Sequence, residues 1–256
     1  RNMNQKDFEV KSNSVIIRGT FYFSESFDNK SINPLIILLT GDGSFGRKGA
    51  SWLPLVDTMR SIDYSACIFD FHGLGTSDGE LKDLTFTKGI QNLKDVLKFI
   101  ESTNMFDMSR IGALGSSFGG GVALIVQSQS NQFSRVALRS PVSFPVEAYE
   151  TEHSFEEMRE WQKTKISPVL GWHWNSYIDA LQYNIYDMAR SITSNVFIVH
   201  GDKDTIVPLS QSIRLTYILG SLSQLEILDG VEHNYKQNNA FDKLSSLMKK
   251  YFAGNL

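Results

Sequence analysis

The chain has little of several features that define whole classes of protein. Its single cysteine, Cys67, excludes an intramolecular disulfide framework and a cysteine-rich metal site. Its 25 basic and 28 acidic residues give a net charge of −3, and the lack of a dense basic tract argues against nucleic-acid binding. No apolar run reaches the roughly 18 residues that a membrane span needs. These absences predict a soluble, cytoplasmic protein with no nucleic-acid partner and no membrane span.

What the chain does contain is a regular alternation of strand-like and helix-like segments. With 256 residues, 41% of them hydrophobic, it can bury a substantial core. A hairpin is expected over residues 8–11 and 15–23, and apolar runs of strand length follow at 34–39, 65–70, 110–115, 135–139, 195–200 and 225–228. Helical spacing is found at Ile90, Leu93, Val96, Leu97 and Ile100, and helices also suit residues 119–127 and 241–251. The alternation predicts the α/β class, with a doubly wound, mostly parallel sheet.

Residues 141–190 interrupt this alternation. They hold three of the six prolines, three of the four tryptophans and nine aromatic residues in all. A connection this long between a strand and the next crossover is usually functional. We therefore predict a core domain formed by residues 1–140 and 191–256, with a partly helical cap or lid subdomain inserted at 141–190. Aromatic residues that merely pack the insertion on the sheet are the simpler alternative, and both can hold because a cap needs its own small core.

The pattern Gly-x-Ser-x-Gly occurs twice, at residues 75–79 and 115–119. Ser117 follows a predicted strand and leads directly into a segment of small residues that suits a helix. A serine on such a strand–turn–helix elbow presents its hydroxyl above the helix N-terminus. Ser77 is followed by a polar loop. We therefore predict that Ser117 is a catalytic nucleophile and that Ser77 is a loop residue.

A serine nucleophile needs a histidine base that is held by a carboxylate. Of the five histidines, His233 lies in the loop just after the last predicted strand. Asp204 follows another strand and is predicted to orient His233, with Asp202 and Asp229 as alternatives. Asp202 is expected to bind the backbone of its own turn. The order Ser117, Asp204, His233 is the one that this triad takes on such sheets.

The tetrahedral intermediate also needs hydrogen-bond donors for its oxyanion. The elbow supplies the backbone N–H of Phe118, and we predict that the backbone N–H of Asp42 supplies the second donor, from the loop after the strand at 34–39. A Gly-rich turn that only reverses the chain is the alternative. Phosphate binding by this loop is disfavoured because no Gly-Lys-Ser/Thr follows.

Four motifs together resemble the α/β-hydrolase superfamily, and within it the cinnamoyl or feruloyl esterases and the serine-aminopeptidase or monoacylglycerol-lipase-like group. They lie at residues 70–79, 115–120, 201–208 and 230–233, and the resemblance runs from about Val15 to Phe252. It implies an eight-stranded, mostly parallel sheet, a Ser–Asp–His triad, no cofactor and a cap after the sixth strand. The chain departs from the usual pattern at Thr40, where a histidine is common, at Asp42, where an apolar residue is common, and at His72, where an arginine is usual.

The leading hypothesis is a serine carboxylesterase that acts on a small-molecule ester with an apolar or aromatic acyl group. The cap tryptophans Trp161, Trp172 and Trp174 are candidates for the substrate pocket. Six glutamates against three basic residues between 147 and 165 disfavour strongly anionic substrates. A thioesterase or acyl transferase, a peptidase and a non-catalytic ligand receptor are the alternatives, whereas scattered histidines disfavour a metal site. The choice between a monomer and a homodimer stays open.

Overall fold

The computed structural model describes residues 4–256, so residues 1–3 of the predicted core domain lie outside the described part. Its sheet is built from eight strands: β1 Gln5–Ser12, β2 Val15–Tyr22, β3 Asn33–Leu39, β4 Ser65–Phe69, β5 Phe106–Ser116, β6 Arg135–Arg139, β7 Asn195–Gly201 and β8 Ser223–Leu228. Their order is β1-β2-β4-β3-β5-β6-β7-β8. The pairs β1–β2 and β2–β4 are antiparallel and all others are parallel. The predicted fold class is therefore confirmed.

Nine α-helices occur within residues 4–256: α1 Trp52–Arg60, α2 Phe86–Ser102, α3 Phe118–Ser130, α4 Pro145–Glu152, α5 Phe155–Thr164, α6 Trp174–Ala180, α7 Ile185–Met188, α8 Leu209–Leu219 and α9 Ala240–Phe252. Short 3₁₀ turns lie at Gly46–Lys48, Leu81–Asp83, Ala189–Ser191 and Gly220–Leu222. The spacing of apolar residues predicts α2, α3 and α9 to within a few residues. Helices α1 and α8 were not predicted.

The sheet separates two apolar layers, and the alternation of side chains along each strand assigns them. In β3, Leu35, Ile37 and Leu39 pack on the side of α2 and α3, whereas Ile36 and Leu38 pack on the side of α1 and α9. Both faces are covered, so β3 is a continuous apolar run. No helix in residues 4–256 has the length and apolar character needed to cross a membrane.

The connection between β6 and β7 carries helices α4 to α7 and covers the carboxyl edge of the sheet. Its contacts with the segment that leads into α2 are numerous: the N–H of His173 donates to the carbonyl of Lys82 at 2.8 Å, and the hydroxyl of Ser176 donates to the carbonyl of Leu84 at 2.8 Å. Asp179 accepts the N–H of Thr87 at 3.0 Å. These bonds fasten the connection to the helical layer beneath it.

Candidate active site

Ser117 occupies a sharp turn between β5 and α3. Its backbone has φ 51° and ψ −117°, a conformation that costs a non-glycine residue free energy and is typical of functional sites. The turn is fixed from both sides, because the N–H of Ser117 donates to the carbonyl of Arg139 at 3.0 Å and the N–H of Val142 donates to the carbonyl of Ser117 at 3.0 Å. The side chain of Ser117 is 8% exposed, so the hydroxyl remains accessible from a cavity.

The two glycines of the motif are required by packing. A Cβ atom at Gly119 would lie 2.3 Å from the carbonyl oxygen of Thr40, and one at Gly115 would lie 2.9 Å from that of Gly119. Helix α3 therefore starts directly against the end of β3. In the same loop, a Cβ atom at Gly41 would lie 3.6 Å from the Cβ of Ser117, so the chain that carries Asp42 passes close to the elbow.

Asp204 and His233 come from neighbouring strands and form one hydrogen-bonded unit. Nδ1 of His233 lies 2.7 Å from Oδ2 of Asp204, while Oδ1 accepts the backbone N–H groups of Ile206 and Val207, both at 2.9 Å. Burial alone would raise the pKa of Asp204, but hydrogen bonds from His200, His233 and the backbone outweigh it and hold that pKa well below its usual range. The carboxylate is therefore ionised throughout the neutral range.

A second histidine supports the carboxylate, and sequence reasoning missed it. His200 is fully buried, and its Nε2 lies 2.9 Å from the carbonyl of Val207 and 3.3 Å from Oδ2 of Asp204. Its Nδ1 is bonded to the hydroxyl of Ser212 at 2.7 Å. The only sequence signal was its position at a strand end, four residues before Asp204.

Asp202, the alternative acid, lies elsewhere. Its Oδ1 accepts the N–H of Gly230 at 2.7 Å, in the loop that leads to His233. The expectation that Asp202 binds its own turn was wrong, because β7 and β8 are paired and the loops that follow them meet. Ser77 also has structural partners: its hydroxyl donates to the carbonyl of Asp70 at 2.6 Å and accepts the N–H of Arg18 at 2.9 Å.

Two cavities meet at Ser117. The first encloses about 440 Å³ including its open mouth and lies under the β6–β7 connection. It is lined by Asp42, Phe86, Ser117, Phe118, Val142, Pro145, Ala148, Tyr149, Glu152, Leu170, Trp172 and Ile206. The lining is mostly apolar, with three polar groups besides Ser117, which is the usual make-up of a small-molecule site.

Of the three tryptophans predicted to line the substrate pocket, Trp172 lies on this cavity. Trp161 is fully buried inside the connection, where its indole N–H donates to the carbonyl of Trp172 at 2.9 Å. Trp174 packs edge-on against Trp161 with ring centroids 5.3 Å apart and lines a separate depression on the outer surface. The structure thus places Trp161 and Trp174 away from the first cavity, because they form the connection's own core.

The polar groups of the first cavity are unusual. The hydroxyl of Tyr149 is buried and has no hydrogen-bond partner in residues 4–256. Burial, with smaller contributions from the charges of Asp42 and Asp204, raises the pKa of Glu152 to about 8. Burial also raises the pKa of Asp42, an effect that His233 opposes. Neither Glu152 nor Tyr149 was identified from the sequence, because only the folded connection brings them over the elbow.

The second cavity lies on the other side of Ser117 and encloses about 710 Å³ of partly open space. It is lined by Thr40, Gly41, Asp42, Gly43, Phe45, Gly46, Gly49, Trp52, Ser116, Ser117, Arg139 and His233. Ser117 and His233 therefore share this cavity, and Asp42 lines both cavities. No cluster of three or more residues suited to hold a metal ion occurs in the described part of the chain.

Solved structures with the same fold cover almost the whole chain. Est1E from Butyrivibrio proteoclasticus, solved with ferulic acid bound, superposes with a TM-score of 0.83 at 18% identity, over 97% of this chain and 98% of Est1E. The Pyrococcus furiosus esterase Pf2001 superposes with a TM-score of 0.74 at 20% identity, over 97% of this chain and 90% of the esterase. At these identities the likeness shows the α/β-hydrolase fold.

Curated relatives match a smaller part of the chain. The quorum-quenching protein AidA of Acinetobacter baumannii is 23% identical over 141 residues, which is 55% of this chain and 45% of AidA. An uncharacterized 31.7 kDa protein of Escherichia coli, from the traX-finO intergenic region, is 28% identical over 100 residues, 39% of this chain and 34% of that protein. The chain spans less than half the length of these curated relatives.

The family model is the most extensive sequence match. The model of the prolyl oligopeptidase family matches residues 55–256, well over half of the chain, and includes the elbow, Asp204 and His233. The eight-stranded sheet and its flanking helices agree with this match. The chain belongs to the prolyl oligopeptidase family of α/β hydrolases.

Proposed function

We propose that the protein is a serine hydrolase that cleaves carboxylic esters through an acyl-enzyme on Ser117. The hydroxyl of Ser117 attacks the ester carbonyl while His233 takes its proton, and the carbonyl oxygen becomes an oxyanion. His233 then gives the proton to the departing alcohol as the acyl–oxygen bond breaks. Water, deprotonated by His233, releases the acid and restores Ser117. Asp204 holds the imidazole in the orientation and tautomer that these proton transfers need.

The observation that carries this proposal is the 2.7 Å bond between Asp204 and His233, in a cavity that the strained Ser117 elbow also lines. The backbone N–H groups of Phe118 and Asp42 are the proposed donors to the oxyanion. Phe118 begins α3, so its N–H carries the positive end of the helix dipole, and Asp42 lines the same cavity as Ser117. Residues 141–190 are the proposed cap over this site.

The first cavity suits the acyl group, because Phe86, Phe118, Leu170 and Trp172 give it apolar and aromatic walls. The cavity is small for a small-molecule pocket, which favours an acyl group of modest size. The unpartnered hydroxyl of Tyr149 and the carboxyl of Glu152 would bind a polar substituent at its far end. Est1E with bound ferulic acid and the Pyrococcus esterase support an ester as the substrate.

A peptidase is the second candidate, and the match to the prolyl oligopeptidase family favours it. The same triad cleaves amides when the leaving amine can be protonated. The two candidates differ in the bond that is cleaved, so paired ester and anilide substrates separate them.

The test is hydrolysis of p-nitrophenyl acetate, butyrate and octanoate, a feruloyl ester and a proline-containing peptide p-nitroanilide. We expect turnover of the esters and a loss of at least about 10³-fold in kcat for Ser117→Ala. Ser128→Ala, in the same helix region but bonded only to the backbone of α3, is the matched control and should keep full activity. Turnover of the anilide alone would favour the peptidase, and equal inactivity of wild type and Ser117→Ala on every substrate would contradict the proposal.

A further inference from the structure

A cation without a counter-ion lies beside the proposed nucleophile. Arg139 ends β6, and its side chain lines the second cavity together with Ser117 and His233. Every ion pair formed within residues 4–256 involves other residues, so no carboxylate lies within 4.0 Å of this guanidinium. Burial lowers the pKa of Arg139 to about 10, which still leaves it charged at neutral pH. A partly buried charge of this kind favours an anionic ligand.

The guanidinium is also held in place without being neutralised. Its Nε donates to the hydroxyl of Ser116 at 2.8 Å, and its two terminal nitrogens share the hydroxyl of Ser51 at 3.2 and 3.3 Å. The rings of Trp52 and Tyr235 lie 4.9 and 5.7 Å from its central carbon. These partners are neutral, and three bonds leave two of the five N–H donors of an arginine without an acceptor in the described residues.

The position of His233 indicates which part of a substrate would lie next to Arg139. In the proposed mechanism His233 protonates the leaving group, so the leaving group lies on the side of His233. His233 lines the second cavity, whereas the residues of the first cavity do not include it. The acyl group therefore occupies the first cavity and the leaving group the second, where Arg139 lies.

We propose that Arg139 binds a carboxylate or phosphate group on the leaving group of the substrate. This inference rests on the proposed function, because it uses the roles of Ser117 and His233. The planar fork of an arginine matches both kinds of oxyanion. Asp42 also lines the second cavity, but it forms no ion pair with Arg139, and burial raises its pKa.

The two cavities differ in their ionisable groups, because Arg139 lines the second cavity and no arginine or lysine lines the first. Glu152 and Asp42 line the acyl cavity with no basic residue beside them, and the cap around Glu152 is rich in glutamate. An anionic acyl group is therefore disfavoured, as the sequence predicts for strongly anionic substrates. An anionic leaving group is not, because Arg139 lines the second cavity. An ester that carries its negative charge on the alcohol would therefore bind with the alcohol in the second cavity and the acyl group in the first.

The test uses three butyrate esters with one acyl group and matched leaving groups: 4-hydroxybenzamide, 4-hydroxybenzoate and 4-hydroxyphenyl phosphate. We expect the wild type to prefer at least one anionic ester over the neutral amide by about 10-fold or more in kcat/KM, the range of a charge-assisted hydrogen bond. Arg139→Gln should reduce this ratio to about 1, and Arg139→Lys should retain part of it. The better of the two anions identifies the kind of oxyanion.

Arg135 provides the matched control. It begins the same strand, its guanidinium also lies over a tyrosine ring, at 4.3 Å from the Tyr251 centroid, and it lines neither cavity. Arg135→Gln should leave the anion preference unchanged. Because Arg139 also contacts Ser116 beside the nucleophile, the ratio between esters, rather than the absolute rate, reports anion binding. A wild-type ratio near 1, or a preference that survives Arg139→Gln, would overturn the inference.

Binding separates this inference from the proposed function. Calorimetric titration of wild type, Arg139→Gln and Arg135→Gln with 4-hydroxybenzoate and 4-hydroxybenzamide needs no turnover. If the wild type hydrolyses the neutral ester but shows no anion preference in rate or in binding, Arg139 has no such role and the esterase stands. If no ester is cleaved but benzoate binding depends on Arg139, the anion site stands and the reaction is a different one.

Discussion

The replacement Asp204→Asn tests the proposed triad with the smallest change in shape. The two carboxylate oxygens have different partners: Oδ1 accepts the N–H groups of Ile206 and Val207, and Oδ2 faces Nδ1 of His233 at 2.7 Å and Nε2 of His200 at 3.3 Å. The carbonyl oxygen of an asparagine can keep the two backbone bonds. Its NH₂ group must then occupy the Oδ2 position and face the two imidazoles as a donor.

That exchange fixes the wrong tautomer of His233. A donor opposite Nδ1 favours the imidazole that carries its proton on Nε2, and such an imidazole cannot take a proton from Ser117. A triad with this change typically loses about 10⁴-fold in kcat, equivalent to about 5.4 kcal/mol at 1.36 kcal/mol per tenfold. The loss of charge-assisted hydrogen bonding should also reduce the free energy of unfolding by about 1.5–3 kcal/mol.

The assay is steady-state hydrolysis of p-nitrophenyl butyrate, with urea denaturation to measure stability. Asp202→Asn is the matched control, since an asparagine at position 202 can still accept the N–H of Gly230. It should keep kcat within about threefold of wild type, well short of a tenfold change. An Asp204→Asn variant with more than about a tenth of wild-type kcat, or an equal loss in Asp202→Asn, would refute the assignment of Asp204.

Two further replacements probe the walls of the site. Gly119→Ala would place a methyl group 2.3 Å from the carbonyl oxygen of Thr40 and 2.4 Å from that of Leu39, so we expect a loss of about 1–3 kcal/mol in stability by thermal unfolding together with reduced activity. Gly43→Ala, which meets nothing within 4 Å, should leave stability unchanged, and an equal loss of stability in the two variants would contradict the packing argument. For Glu152, a folded-state pKa of about 8 against its ordinary value of 4.5 means that the native protein keeps a proton that the unfolded chain releases, so stability falls as pH rises from about 4.5 to 8. In Glu152→Gln this part of the decline should disappear from urea melts at pH 5 and pH 9, and an unchanged slope would show that Glu152 ionises normally.

The fold follows from the sequence wherever one physical signal dominates. The apolar run at β3 and the 3.6-residue spacing along α2 are each set by burial on the sheet; β3 was predicted to within one residue and α2 to within four. Helices α1 and α8 were not. In α1 the buried residues are Trp52, Leu55, Val56 and Met59, but Leu53 of the same helix is apolar and exposed. In α8, Ile213 is likewise apolar and exposed. Such side chains obscure the helical periodicity.

The residues of the candidate site also fall into two groups, those that a local sequence motif marks and those that only the fold brings together. Ser117, Asp204 and His233 each follow a strand in a short, recognisable motif, so local sequence was enough to select them. His200, Tyr149, Glu152 and Arg139 depend on contacts between distant segments, and no local pattern marks them. The tryptophans of the cap illustrate the limit: composition identifies an aromatic segment, but the fold of that segment decides that Trp172 reaches the cavity while Trp161 supports it from behind.

The bonds that fasten the β6–β7 connection to α2 and the segment before it have a consequence for access to the site. His173 and Ser176 bind carbonyl groups of that segment, and Asp179 binds the N–H of Thr87 in the first turn of α2, so the connection is held at three points next to the first cavity. Lifting the connection would break several hydrogen bonds at once. We therefore expect the entrance to the first cavity to keep its width, so that the proposed esterase would select its acyl group by what fits through that entrance rather than by closing around it.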